Sequence, residues 1–513
     1  MVICIGWFRA GLDLQWVQNI WISTTLLLSL GLLIPSTRSS YKKITPFIFY
    51  IGILITIFYL STENQTFRQL SLQTFKEVKT AKYLSTEKDL AKTLMISKGI
   101  KQILPFISSG PSKAISVFLD FKNHYSDKYR SFDDGTRLIK NISEQIEKSP
   151  SPYLPTIPLI SAKIWVSFLY FVTQISIGFF AFYYLKERAQ IRKFTLLLVV
   201  AAVLLAFLGI VQKVNYVPSD NLKEIFGIWD TPEPRYFYAS FTYKNHWSAY
   251  AILIISCLFA LKTRESLRCN LFRKNDLKSI FYFVGLGILL ISIPHSGSRS
   301  GIVVLLFLII LLTLVLFKKN ILRLKTLTGL CLVIIMSCLV GLFLNKETTK
   351  EMLSNTISQI QNEKPPLRFL LWKDLVGQIS KKTFWGYGYD SYATINPIFQ
   401  SKKIRDQRTI GLANAHNSYI PLIGYGHSDI LEWISEFGWV GLSFFILPVI
   451  LLICRNLFFS KSIFSQIISI GALSFLLYCC FDFPTRSPAC LIIFSVIVGI
   501  SSKYTNLSIN KKI

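Results

Sequence analysis

Eleven apolar runs interrupt the 513-residue chain, near 17–34, 44–61, 161–185, 194–211, 246–261, 280–294, 301–317, 327–344, 438–454, 462–480 and 489–501, and most hold no charged residue. Each approaches the ~20 residues a helix needs to cross a bilayer. Inside hydrocarbon a backbone must satisfy its own hydrogen bonds, so runs of this length are helices. The chain therefore reads as an all-α, polytopic transmembrane bundle of about 11–12 spans. Only 16% of its residues are charged, against about 25% in an average soluble domain.

The net charge of +28 would point to nucleic acid in a soluble protein. Here topology explains it better, and no nucleic-acid partner is expected. Arg38, Lys42 and Lys43 follow the first run; Lys186, Arg188, Arg192 and Lys193 the third; Lys262, Arg264, Arg268, Arg273, Lys274 and Lys278 the fifth. Lys318, Lys319, Arg323 and Lys325 follow the seventh, Arg455 and Lys461 the ninth, and Lys503, Lys511 and Lys512 end the chain. Basic segments thus follow every odd-numbered run, which the positive-inside rule places in the cytoplasm. The C-terminus then lies inside and the N-terminus outside. Two large loops, 62–160 and 345–437, face outward with the shorter 212–245, 295–300 and 481–488. The organisation reads as membrane helices 1–61, a loop domain 62–160, a helical membrane core 161–344, a second loop 345–437 and closing helices 438–513. The nine cysteines lie mostly in or beside apolar runs and form neither a disulfide framework nor zinc spacing. The Cys4–Trp7 stretch is too short for the apolar region of a cleavable signal peptide, so none is expected.

Polar chemistry gathers in four outward segments. "RYFYASFTYKNHW" carries Arg235, Asn245 and His246, and "HSGSRSG" carries His295 and Arg299. Arg368 opens an amphipathic helix in which Leu367, Leu371, Leu375 and Ile379 recur at helical spacing, before "GYGYDSY" breaks it. "AHNSYIPLIGYGHSDILEWISEFGWVG" carries His416, His427, Asp429, Glu432 and Glu436. Four of the five histidines fall here; His124 is the exception. Each residue has a plainer reading. Arginines at helix ends often snorkel to the interface, which covers Arg235. Arg368 could lie on a solvated helix face, and His246 and His295 could simply pack among aromatics. The 429–436 carboxylates could orient His427, contact an acceptor or form a solvated face. Arg299 fits the plain reading least, since a very short outer turn is an unfavoured place for arginine. His427 stands among glycines with a carboxylate two residues on.

The order of these motifs resembles the O-antigen ligase family of bacterial membrane glycosyltransferases, which includes O-antigen polymerases. His427-Ser428, nine residues, then Gly438 and Gly441 resembles the end of the family's late outer loop; His416-Asn417 lacks glycines at that spacing. "SGSRSG" resembles its Ser-Arg-Gly turn, and "RFLLWKDLVGQISKKTFWGYGYDSY" its Arg-x-x-x-Trp helix followed by Gly-x-Gly. "ASFTYKNHWSAY" resembles its Asn-containing entry to a helix, and "DFPTRSPA" the turn before its last helix. Arg235 stands one residue off the family's spacing to Asn245, and the 62–160 loop is larger than in a typical ligase.

The resemblance implies a GT-C-like fold, a bacterial inner-membrane location with a periplasmic site, an undecaprenyl-diphosphate-linked glycan donor, and a hydroxyl acceptor on a glycan, lipid or protein. Guanidinium forks bind a diphosphate bidentately and stabilise the charge that grows on it as the glycosyl bond breaks. Arg299 and Arg368 are expected in that role, with Arg235, Asn245 and Glu436 as further substrate contacts. An imidazole titrates near neutrality and suits the general base, and His427 is the expected one. The outward segments hold no compact Asp-x-Asp cluster, so neither metal nor cofactor is expected. A polymerase of the same family remains open. A transporter or flippase of polyprenyl-linked glycans would place ionisable groups nearer the bilayer midplane than these charge-free runs do.

Overall fold

Lipid tails are as apolar as leucine, so membrane helices associate through close packing and interhelical hydrogen bonds rather than hydrophobic drive. The computed structural model is built on those two devices. It describes residues 2–7, 52, 162–215, 224–225, 229–230, 237–266, 277–319, 335–337, 339–344, 354, 367–389, 392, 396, 399, 401, 403–404, 409–411, 417–419 and 425–509. The first apolar run, nearly all of the second, the 62–160 loop, Arg235 and His416 lie outside these residues.

Among the described residues the chain is helical apart from two short ribbons. The helices are α1 (Ala162–Tyr184), α2 (Arg188–Val214), α3 (Lys244–Ser266), α4 (Leu277–His295), α5 (Arg299–Lys318), α6 (Leu367–Lys381), α7 (Asp429–Phe458), α8 (Ile463–Phe481) and α9 (Pro488–Ile509). Antiparallel β1 (Glu224–Ile225) pairs with β2 (Trp229–Asp230), and β3 (Thr409–Gly411) pairs with β4 (Asn417–Tyr419). Six helices, α2, α3, α5, α7, α8 and α9, are long and apolar enough to cross a membrane. Apolar runs 161–185 through 301–317 and 438–454 through 489–501 all become helices within a few residues of their sequence limits.

The chain divides into two compact units. One comprises Met1–Ser36, Tyr170–Glu363 and Pro448–Ile513, the other Thr37–Leu169 and Lys364–Leu447. In the first unit α3 is central, touching α2, α4, α5, α8 and α9. It is the least apolar of the six candidate spans and the most buried, because protein rather than lipid surrounds it. Hydroxyls tie its neighbours together: Ser465 Oγ of α8 meets Thr505 Oγ1 of α9 at 2.6 Å and Ser501 Oγ at 3.2 Å, and Asn456 donates to Ser502 Oγ at 2.9 Å. Such contacts contribute about 0.6 kcal/mol each in membrane helices, so their number matters more than any one.

The second unit is built on α6. Leu371, Leu375 and Ile379 are buried as their spacing requires, joined by Leu370, Asp374 and Gln378. Leu367, at the helix start, stays exposed. Asp374 Oδ2 accepts from the backbone N–H of Ser401 at 2.7 Å, and Ile404 packs on Leu370 and Leu371. Polar and apolar anchors therefore fix Ser401 and Ile404 against α6.

Candidate functional site

In the first unit the "ASFTYKNHW" segment makes a tight turn before α3, with Tyr238 and Phe241 exchanging backbone hydrogen bonds at 2.8 Å each. The turn delivers Asn245 to the first turn of α3. There its side-chain N–H groups donate to Asp482 Oδ2 and, at 2.8 Å, to the Tyr243 hydroxyl. Asp482 is fully buried at the end of α8 and also accepts from the backbone of Phe483 at 3.0 Å. His246 is packed as its plainer reading has it. Its ring is edge-on to Tyr243 and Phe483, and Nε2 lies 3.1 Å from the Phe483 carbonyl. His295 is 1% exposed and sits edge-on to Tyr238, which makes it a poor place for a base that must meet substrate.

Arg299 is exposed and is the first residue of α5. Ser298 caps that helix, its Oγ accepting from Gly301 N at 3.0 Å. Helix N-termini favour acidic side chains, and the first turn of α5 has none. A guanidinium at this end instead joins the positive helix pole in favouring an anion.

In the second unit three devices hold the backbone around His427. Its φ of +56 lies in the left-handed region, which costs a residue other than glycine about 1–2 kcal/mol. The preceding N–H, of Gly426, donates to Glu432 Oε1 at 2.5 Å. The His427 carbonyl accepts from Trp372 Nε1 at 3.2 Å. Ser428 then caps α7, its Oγ accepting from Leu431 N at 3.3 Å. Strained conformations persist only where the surroundings over-determine them, and they cluster at functional sites. Trp372 lies one turn after Arg368, and residues four apart share a helix face. The Arg-x-x-x-Trp spacing therefore sets half-buried Arg368 one turn from the residue that grips His427.

The carboxylates after His427 do not form a solvated face. Asp429, Glu432 and Glu436 are each 0% exposed. The 383–388 stretch packs on residues 435–440 of α7, as the hydrogen bonds at a helix break make plain. Gly438 has φ +67 and ψ 178 inside α7, so the helix cannot continue through it. Ser435 and Glu436 carbonyls, which a regular helix would pair with the N–H groups of residues 439 and 440, accept instead from Tyr387 and Gly388 at 2.8 and 2.7 Å. Trp439 and Val440 donate to the carbonyls of Thr383 and Phe384 at 2.9 and 3.2 Å. Two lost helix bonds are replaced by four bonds to the loop. The approach is backbone on backbone: a Cβ on Gly386 would stand 2.5 Å from the Ser435 carbonyl oxygen, and one on Gly438 would overlap the Phe384 carbonyl. Both glycines have positive φ. Gln378, buried in α6, completes the assembly: its side-chain amide donates to Ser435 Oγ at 2.7 Å, and its backbone carbonyl accepts from the Tyr387 hydroxyl at 3.2 Å. Burial here pushes the Tyr387 phenol up and the Lys382 ammonium down from their ordinary pKa values.

Glu436 thus lies in the same unit as His427 and Arg368, buried beneath Tyr392, whose N–H lies 3.5 Å from Glu436 Oε1. Asn245 and Arg299 belong to the other unit. Among the described residues no three His, Cys, Asp or Glu side chains gather as a metal site. Sequence reading passed over Trp372, Gln378 and Asp482 as individuals. Trp372 had a signal in its place in the Arg-x-x-x-Trp motif, and Asp482 in opening the "DFPTRSPA" turn.

Helices of this length and apolarity define a multi-pass membrane protein. Residues 284–446, about a third of the chain, match the family model described as O-antigen ligase, which supports the resemblance drawn from the motifs. The matched segment takes in Arg299, Arg368, His427, Glu436 and Gly438, and leaves Arg235, Asn245 and Asp482 outside it. No curated protein matches the chain.

Proposed function

We propose that the protein is a membrane glycosyltransferase that moves a glycan from an undecaprenyl-diphosphate-linked donor to a hydroxyl acceptor, at the periplasmic face of a bacterial inner membrane. The over-determined backbone of His427, gripped by Trp372 one helical turn after Arg368, is the observation that carries this reading. In the reaction the acceptor hydroxyl oxygen bonds to the anomeric carbon as the bond from that carbon to the diphosphate oxygen breaks. The hydroxyl proton passes to the His427 imidazole. Undecaprenyl diphosphate leaves with the bonding electrons, and Arg299 and Arg368 stabilise its added charge. Bidentate guanidiniums do this work without a divalent ion. Arg235 and Asn245 serve as further donor contacts. For Asn245, whose N–H groups go to Asp482 and Tyr243, the remaining carbonyl oxygen is the part that can serve. Glu436 supports the acceptor side from beneath the loop.

Glycan transfer in vitro tests this, with an undecaprenyl diphosphate glycan as donor and with lipid, peptide or lipid-linked glycan acceptors compared. His427→Ala should lose about 10²–10⁴-fold in rate, while His416→Ala loses much less. Transfer to lipid or peptide marks a ligase, and transfer only to lipid-linked glycan marks a polymerase. A dead His416→Ala beside an active His427→Ala would move the base to the other histidine. Movement of the intact donor across vesicles without any transfer would make the protein a transporter.

A further inference from the structure

The α4–α5 turn is held from below by one side chain that the mechanism above does not use. Tyr478, in the last turn of α8, is 0% exposed. Its hydroxyl lies 3.0 Å from Ser298 Oγ and 3.1 Å from Ser300 Oγ. These two serines are the chain neighbours of Arg299 on either side. A phenol hydroxyl can donate once and accept from another donor, so one group serves both serines. Ser298 still accepts from Gly301 N, so the same atom ties the helix cap to the phenol. Ser296 is held on α3 at 3.2 Å from Ser248 Oγ, and a Cβ on Gly301 would stand 2.7 Å from that same oxygen. The turn is fixed at 296, 298, 300 and 301, and only Arg299 among these neighbours is exposed. Tyr478 is itself fixed: its carbonyl accepts from the N–H of Asp482 at 3.0 Å, and Asp482 is gripped by Asn245.

We infer that Tyr478 is a positioning residue for Arg299, holding both flanking serines with one buried hydroxyl so that the guanidinium leaves the turn from a fixed point. The inference rests on the assignment of Arg299 to the donor diphosphate. Arginine is a long and flexible side chain, and ordering it costs up to about 2 kcal/mol of rotamer entropy. A rigid origin lowers the number of positions the fork must sample. It also explains a buried, hydrogen-bonded phenol among apolar neighbours, and two serines with arginine between them at a helix start.

The test uses the full-length protein in detergent or nanodiscs, with Tyr478→Phe and Arg299→Lys singly and together. Transfer kinetics should show kcat about tenfold lower in Tyr478→Phe with KM within about twofold, since small misplacements act on the reacting geometry. In the Arg299→Lys background the same change should lower kcat less than about twofold, because coupled residues are not additive. Additive losses would overturn the positioning role and leave Tyr478 a packing residue. Amide exchange over 296–302, which needs no activity, should quicken about tenfold in Tyr478→Phe as local opening becomes easier. Unchanged exchange there would also overturn the inference. Should Arg299→Lys keep the full wild-type rate, the diphosphate assignment fails instead, and exchange still decides whether Tyr478 holds the turn. Ser300→Ala, which removes one of the two bonds and keeps the Ser298 cap, gives the same readouts if Tyr478→Phe does not fold.

Discussion

The indole Nε1 of Trp372 donates to the backbone carbonyl of His427 across 3.2 Å. The tryptophan acts on the histidine's backbone, so it sets where the imidazole starts. Trp372→Phe keeps the aromatic packing, including the ring contact with Phe369, and removes the donor. We expect transfer about tenfold slower, in the range a small displacement of a catalytic group produces, with thermal stability changed by little. Wild-type kinetics in that variant would show that the loop holds His427 without this bond.

The left-handed backbone at His427 makes a stability prediction that differs from the activity one. His427→Ala and His427→Gly both remove the imidazole and should both lose transfer. Glycine accepts positive φ without penalty and alanine does not, so the glycine variant should be more stable by about 1 kcal/mol. Equal melting temperatures would mean that the backbone relaxes when the side chain goes.

Gly386 and Gly438 should tolerate nothing larger. Alanine at either meets backbone, in a conformation that L-residues disfavour. The strained φ and the steric overlap each cost about 1–3 kcal/mol, and we expect their sum to be read as poor recovery of folded protein. Gly377, exposed in the middle of α6, is the control, since a Cβ added there would have nothing within 4 Å. Gly377→Ala should stabilise by about 0.5–1 kcal/mol.

Chelation separates arginine from metal electrostatics. With guanidiniums on the diphosphate, transfer should continue in EDTA at close to its starting rate. Loss of activity restored by Mg²⁺ or Mn²⁺ would reassign the charge stabilisation to an ion. Arg299→Lys should be costly in the same assay, since lysine cannot fork.

The spans were legible because a membrane imposes one length and one polarity on each helix, and runs such as 301–317 and 462–480 have no other reading. The α6 face was legible from Leu371, Leu375 and Ile379, whose period is helical. What lay out of reach was long-range. Asp429, Glu432 and Glu436 could from sequence form a solvated face, and their burial comes from packing that no local pattern shows; for Glu436 it includes a loop some fifty residues earlier in the chain. Tyr478 reads as one more aromatic in an apolar run. Nothing local marks the two serines it holds, 178 and 180 residues away.

The exchange of backbone bonds at Gly438 has a consequence for anyone building chimeras of this protein. The 383–388 loop supplies the partners that the helix gives up, and the helix supplies those of the loop. Neither piece is a self-sufficient cassette. A graft of the first segment of α7 from a protein that matches the same family model would arrive with four backbone groups seeking a loop of the right length. The smallest portable module therefore runs from Leu367 through Val440, and its seams belong before α6 and beyond the break.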